Sequence, residues 1–564
     1  MKRLAAHGLT VGLAAAFAAY VLFPLGMMMA ASLRSGGEFS FAHYRFLFDT
    51  GNAGNLEAVV NSVVVSLWSV VLSGLLGLLL AFVFTQFDFP WKSPLSRLAV
   101  LPVALPPLVG VIAFLFVFGE TGIIPRGLQM ILGTSGAPLS VNGISGVVLV
   151  HVYSFHVYSF LFCSAALRNI DSAQLEAAAG LGSGPWRTFG RIVLPELRPA
   201  LIGASALTFM ASMASFTAPL LFAGDKRFIT LQIYQTKLNG DLDLAAAQSI
   251  LLTLVSVFFY GLLTSAFPSG AARAGRKGTA RPGLLRVSGG TRRILLAIAI
   301  FVLSLEILPV AVILLLSFAR EGSWTTQLVP SAYVADNYIA LLRDPKMFEP
   351  VMNSLLLAGL TLAAALAFGI PAAFFATKGR RGKGRRVIQM VLTLPYAVPG
   401  TAIAVALILA FNSPLWTTGG SVLVGTFWIL PLAYVVREYP LVLRSTAASL
   451  ELLDDSLLEA ADGLGASAWR KFRTVTFPAV LPGVVAGGVL VVIAALGEFV
   501  SSVLLYTYAS RPVSVEILAQ LRLFNIGAAA AYAVLLMVII LALLRVAERI
   551  SSPLASDRGF SYLS

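Results

Sequence analysis

Twelve apolar stretches, near residues 10–32, 57–85, 98–118, 141–168, 197–222, 244–268, 292–318, 350–377, 387–411, 418–443, 480–506 and 524–548, alternate with polar gaps along a chain of 564 residues. Several exceed the roughly 18 apolar residues that suffice to cross a bilayer. With 58% hydrophobic and only 12% charged residues, such a chain cannot hide its apolar surface in one water-soluble core. The expectation is an all-α polytopic membrane protein of about 12 transmembrane helices. The first stretch follows a basic start, Met1-Lys2-Arg3, in the manner of a secretory signal. At about 25 residues it has spanning length and is expected to be a membrane helix.

The net charge of +14 invites a nucleic-acid reading, but the basic residues fall in short stretches between apolar segments. With both termini assigned to the cytoplasm, the internal loops and ends hold about 29 of the 40 Lys and Arg. The densest runs are Arg273 to Arg293 and Lys378 to Arg386, both expected inside. Topology accounts for these charges without a nucleic-acid partner. The one cysteine, Cys163, excludes an internal disulfide and a Cys-rich metal site, and is expected to be inert packing.

The chain repeats itself. Glu176-Ala177-Ala178-Ala179-Gly180-Leu181-Gly182, followed by Ile192-Val193-Leu194-Pro195, returns 283 residues later as Glu459-Ala460-Ala461-Asp462-Gly463-Leu464-Gly465 with Val475-Thr476-Phe477-Pro478. Val60-Asn61-Ser62 recurs as Met352-Asn353-Ser354, and Leu101-Pro102-Val103-Ala104-Leu105-Pro106 as Leu394-Pro395-Tyr396-Ala397-Val398-Pro399. Two halves follow: 1–270 with a loop at 171–195, a basic linker 271–291, and 292–564 with a loop at 454–478. A repeat of the same sidedness implies two parallel six-helix bundles with a path between them.

Within the first loop, Asp171 is placed to cap a short helix, with Gln174 at its third position, and Gly180 and Gly182 permit a sharp turn. Trp186, Phe189 and Ile192 then form an apolar stripe, and Pro195 is expected to end the segment before the next membrane helix. The motif resembles the EAA loop of ABC-importer permeases: Glu-Ala-Ala, three residues, Gly, nine residues, then Ile-x-Leu-Pro. The first copy matches every fixed position; the second softens Ile to Val475 and Leu to Phe477. The chain is similar to the fused, two-half permeases of the ferric-iron and thiamine type, which implies a type I ABC importer permease fold. The resemblance further implies that Glu176, Ala177, Ala178, Gly182 and Pro195, with Glu459, Ala460, Ala461, Gly465 and Pro478, dock on two cytoplasmic ATPase subunits. An external binding protein would deliver a small ligand, with ferric iron the first choice and thiamine or phosphonate the others, across a bacterial inner membrane.

No catalytic or cofactor constellation is expected in this chain. Gly382-Lys383 is followed by Gly384 and position 377 is Thr, so no phosphate loop is formed; ATP and Mg belong to the partner subunits. Val287 to Thr291 faintly echoes the ATPase signature peptide and reads as linker. Intramembrane polar groups mark the path candidates: Glu498 and Phe499, the equivalent Ser215 and Phe216, and Asn61 and Asn353. The asparagines serve equally as hydrogen-bonding partners between helices, as does Gln248. His151 and His156 point about 140° apart on a helix and do not share a metal ion, so they are expected in an aromatic belt at the outer boundary. A secondary transporter of twelve helices is the alternative, and it leaves the twin loops without a purpose.

Overall fold

The computed structural model describes residues 11–266 and 288–556, except 50, 52, 135, 137, 138, 140, 326 and 379–382. The basic linker therefore falls outside the described residues as far as 287, as does part of the run 378–386. The described residues are helical apart from loops and one short antiparallel pair, Arg34–Ser35 with Glu38–Phe39. Ten helices are long and apolar enough to span a membrane, and a bent pair, Val387–Ala397 with Gly400–Phe411 at 95°, makes an eleventh. Helix Ile429–Glu451 has 23 residues, a rise of about 35 Å at ~1.5 Å per residue. It carries Arg437, Glu438 and Arg444 in its interior, which sets it apart from the others.

Proline chemistry shifts several boundaries from the hydropathy reading. Stretch 98–118 is broken into Lys92–Leu98, Leu101–Ala104 and Pro107–Phe118, because Pro106 and Pro107 remove two successive N–H donors. Pro399, the N-cap of Gly400–Phe411, stands at the matching break of the second repeat. Stretch 418–443 starts as irregular chain, and its helix begins only at Ile429. Pro195 and Pro478 do not end a segment. Each sits at the start of a helix that runs straight out of a π turn, Phe189–Val193 or Phe472–Thr476. At the first turn of a helix an N–H is unsatisfied anyway, so proline is tolerated there, and the chain is continuous from Pro185 to Met213.

Compactness and repetition divide the chain differently. One compact unit joins the chain up to Tyr44, Thr236–Ile250 and the chain from Tyr333 onward; the other joins Arg45–Gln235 with Leu251–Ala332. In the first unit, helix Phe23–Ser32 packs on Gly400–Phe411, with Tyr20 stacked 6.1 Å from Phe411. In the second unit, helix Gly289–Leu316 packs on Pro107–Phe118 and Ala53–Gln86. Each repeat's opening helix is thus counted with the other repeat's remaining helices.

Inside a membrane, lipid is as apolar as leucine, so helices associate through close packing rather than through escape from water. Helices Ala53–Gln86 and Gly143–Arg168 meet at Gly77, where a Cβ would lie 2.3 Å from the His156 carbonyl oxygen. Gly369, 292 residues on, occupies the same place in Pro345–Lys378, within 3.0 Å of the Val442 side chain. Below this contact Leu80, Phe84, Cys163, Leu167, Leu197 and Leu303 form a closed core. Cys163 is wholly buried there, as its packing role requires.

Candidate functional site

The two loops fold into the same lever. Asp171 Oδ1 accepts from the Ala173 N–H at 3.0 Å and Asp454 Oδ1 from the Ser456 N–H at 3.0 Å, which caps helices Ser172–Gly180 and Asp455–Gly463. The Ser456 N–H also holds the Asp454 carboxyl below its ordinary range. Both helices end on a left-handed glycine, Gly182 at φ +73° and Gly465 at φ +72°. The Ser183 and Ala466 N–H groups reach back to the Ala178 and Ala461 carbonyls at 2.9 and 3.0 Å. Only glycine enters this region without a Cβ clash, which is why both copies retain it.

What the levers present is apolar and unpartnered within the chain. Leu181 is 88% exposed and Leu464 89%, and Trp186 and Trp469 are exposed as well. These side chains lie outside the spanning cores, so a protein surface is the natural cover. Glu176 and Glu459 are exposed on the same helices. The levers differ at their roots: Leu175 and Ala178 are buried against the core of their unit, whereas Asp455–Gly463 buries nothing. Behind each lever an aromatic pair fixes the π turn, Phe82 with Phe189 at 5.7 Å and Phe374 with Phe472 at 5.9 Å.

The helix after each lever breaks at equivalent residues. Leu194–Met213 stops before Ser215 and Phe216, and Phe477–Gly497 stops before Glu498 and Phe499. Phe216 (φ −110°, ψ −41°) and Phe499 (φ −116°, ψ −38°) share one backbone conformation, and each is 1% exposed. The polar fittings around the breaks are of opposite kinds. In the first repeat His151 Nε2 lies 2.9 Å from Ser215 Oγ, while its Nδ1 lies 3.0 Å from both Ser69 and Ser212 Oγ. In the second, Arg437 Nη1 lies 3.2 Å from Glu498 Oε2 and Arg437 Nε 3.4 Å from Glu438 Oε1. Glu498 Oε1 also accepts from the Ser501 N–H at 2.8 Å, and Tyr434 Oη meets Ser502 Oγ at 2.6 Å.

Asn61 and Asn353 have matching partners. Asn61 donates to the Arg227 carbonyl at 3.0 Å; Asn353 donates to those of Ala509 and Arg511, both at 3.1 Å. The adjacent Ser62 and Ser354 accept from the Ile229 and Val513 N–H groups at 3.2 and 2.8 Å. The repeated Asn-Ser pair clamps the segment beyond each break.

His151 and His156 are not boundary-belt residues. Both are buried, and their opposed directions give them separate partners: His151 the serine cluster, His156 the carboxylate of Glu306 at 3.1 Å. Glu306, Arg437 and Glu438 escaped the sequence reading, although ionisable residues inside apolar stretches are the signal that finds them. Among the described residues no group of three or more His, Cys, Asp or Glu is arranged to hold a metal ion.

The family described as binding-protein-dependent transport system inner membrane component matches residues 73–269 and again 365–554, each match enclosing one lever and one break. The chain is similar to a probable ABC transporter permease protein, y4fN, of Sinorhizobium fredii, with 28% identity over 94% of both chains. The ferric transport system permease protein FbpB of Actinobacillus pleuropneumoniae is 25% identical over 93% of this chain and 75% of its own. The thiamine transport system permease protein ThiP of Brucella abortus is 29% identical over 66% of this chain and 64% of its own. With two copies of the family in tandem, the chain belongs to the binding-protein-dependent transport system inner membrane components, as a fused two-half membrane subunit of an ABC importer.

Proposed function

We propose that this permease carries ferric iron from an external binding protein into the bacterial cytoplasm, driven by ATP hydrolysis on two separate ATPase subunits that grip its two levers. The observation that carries the ATPase reading is the identity of the levers. Each has an acid-capped helix, a left-handed glycine and an exposed leucine, outside the spanning cores and without a partner in the chain. Rigid-body movement of such a lever passes through its π turn to the broken helix behind it. ATP and Mg sit on the partner subunits, and the lever side with both termini faces the cytoplasm.

Ferric iron is favoured because the ferric relative spans 93% of this chain against 66% for the thiamine relative. Thiamine and phosphonate are the remaining choices. With no metal-ligating cluster among the described residues, recognition of iron falls to the binding protein. Two experiments test the reading. Glu176→Lys with Glu459→Lys is expected to abolish ATPase co-purification and uptake while leaving membrane insertion intact; normal uptake in that variant defeats the lever assignment. Titrating the cognate binding protein with Fe³⁺, thiamine and phosphonates decides the cargo.

A further inference from the structure

At the root of the first lever lies an open apolar groove of about 190 Å³, lined by Leu75, Leu79 and Phe82, by Trp186 and Phe189 of the lever, and by Leu295. Three exposed arginines adjoin its lining in the chain. Arg187 follows Trp186, and Arg292 and Arg293 stand between Thr291 and Leu295, both of which line the groove. Arg292 is held in place, its guanidinium 5.9 Å from the Phe87 ring and one N–H donated to the Asp88 carbonyl. The acid at this edge, Asp88, is already engaged by Lys92 at 2.9 Å. Among the described residues neither Arg187 nor Arg293 forms an ion pair.

An apolar groove on a membrane-spanning helix, closed at its polar end by three guanidinium groups, is complementary to one class of molecule. We infer that it binds an anionic phospholipid, an acyl chain lying along Leu75, Leu79 and Leu295 and the headgroup phosphate held by Arg187, Arg292 and Arg293. Guanidinium matches phosphate geometrically, and basic pockets beside membrane helices recruit acidic lipid from the leaflet they face. Trp186 and Phe189 belong to both groove and lever, so the bound chain packs directly against the π turn Phe189–Val193. The lipid then braces the hinge through which the lever moves.

The permease–ATPase complex in nanodiscs of phosphatidylglycerol and phosphatidylethanolamine, released into native mass spectrometry, tests this directly. The wild type is expected to retain phosphatidylglycerol preferentially. Each arginine removed in Arg187→Gln, Arg292→Gln and Arg293→Gln should lower that preference about fivefold. Leu295→Trp, which fills the groove and spares the arginines, should lower retained phosphatidylglycerol as well. Inorganic phosphate in excess should displace nothing, because it has no acyl chain. Equal retention of both lipids, unchanged retention in the arginine or Leu295 variants, or displacement by phosphate each overturns the site. The readout is independent of cargo and of uptake.

Discussion

His156 Nε2 stands 3.1 Å from Glu306 Oε1, and both side chains are closed to solvent. His156 Nδ1 lies 3.0 Å from the Tyr153 carbonyl oxygen and 3.1 Å from that of Val152, so Nδ1 carries a proton and donates it. A bare Nε2 lone pair facing a carboxylate oxygen would be repulsive, so one further proton sits between the two groups. The contact ties helix Gly143–Arg168 to helix Gly289–Leu316.

Removing one member of this pair leaves the other buried without compensation. Glu306→Ala is expected to cost roughly 3–5 kcal/mol. Glu306→Gln still offers Nε2 an N–H donor and should cost about 1 kcal/mol. Thermal denaturation in mild detergent separates the two variants. An alanine variant melting with the wild type would show that the contact contributes nothing.

The left-handed glycines make a different prediction. A Cβ meets nothing within 4 Å at Gly182 or Gly465, so substitution there disturbs the backbone alone. A β-branched residue in that region costs about 1–2 kcal/mol. Gly182→Val with Gly465→Val should therefore reshape the levers and weaken ATPase co-purification while leaving the melting temperature of the spanning helices nearly unchanged.

The Asn-Ser clamps are expected to matter equally in both repeats. Asn61→Ala or Asn353→Ala removes the donor to a backbone carbonyl and should cost about 1–3 kcal/mol where that carbonyl finds no substitute. Asn→Asp keeps the shape but loses the N–H, and should behave like alanine. Protease cleavage near residues 223–228 or 506–512 reports the loosened segment; unchanged cleavage would refute the clamp.

The lever caps respond to acid in one direction only. The folded state holds the Asp454 carboxyl below its ordinary value of 3.8. Its contribution is therefore fully present above that value and is lost as pH falls through the lower folded one. ATPase association through the second lever is expected to be flat in pH from neutrality down to the ordinary carboxylate range. Asp454→Asn, which keeps a capping oxygen without charge, should preserve association; Asp454→Ala should weaken it.

Local chemistry made the sequence legible where it was read correctly. A span needs only length and apolarity, a cap only an acid two residues before an N–H, and a left-handed turn only glycine, so the levers at 171–195 and 454–478 and the breaks at Ser215–Phe216 and Glu498–Phe499 were readable from the chain alone. The same local rules misplaced helix ends wherever a π turn let a helix run on through Pro195 or Pro478.

Partnership could not be read that way. The period of a helix tells which side chains share a face, but not which helix that face will meet. Tertiary packing decided that His151 joins three serines and His156 a carboxylate 150 residues away, that Arg437 holds Glu498, and that each opening helix is counted with the other repeat. In a bilayer every spanning helix presents an equally acceptable apolar surface, so the choice among neighbours rests on close-packed glycines and a few buried polar contacts, and these exist only once the helices have assembled.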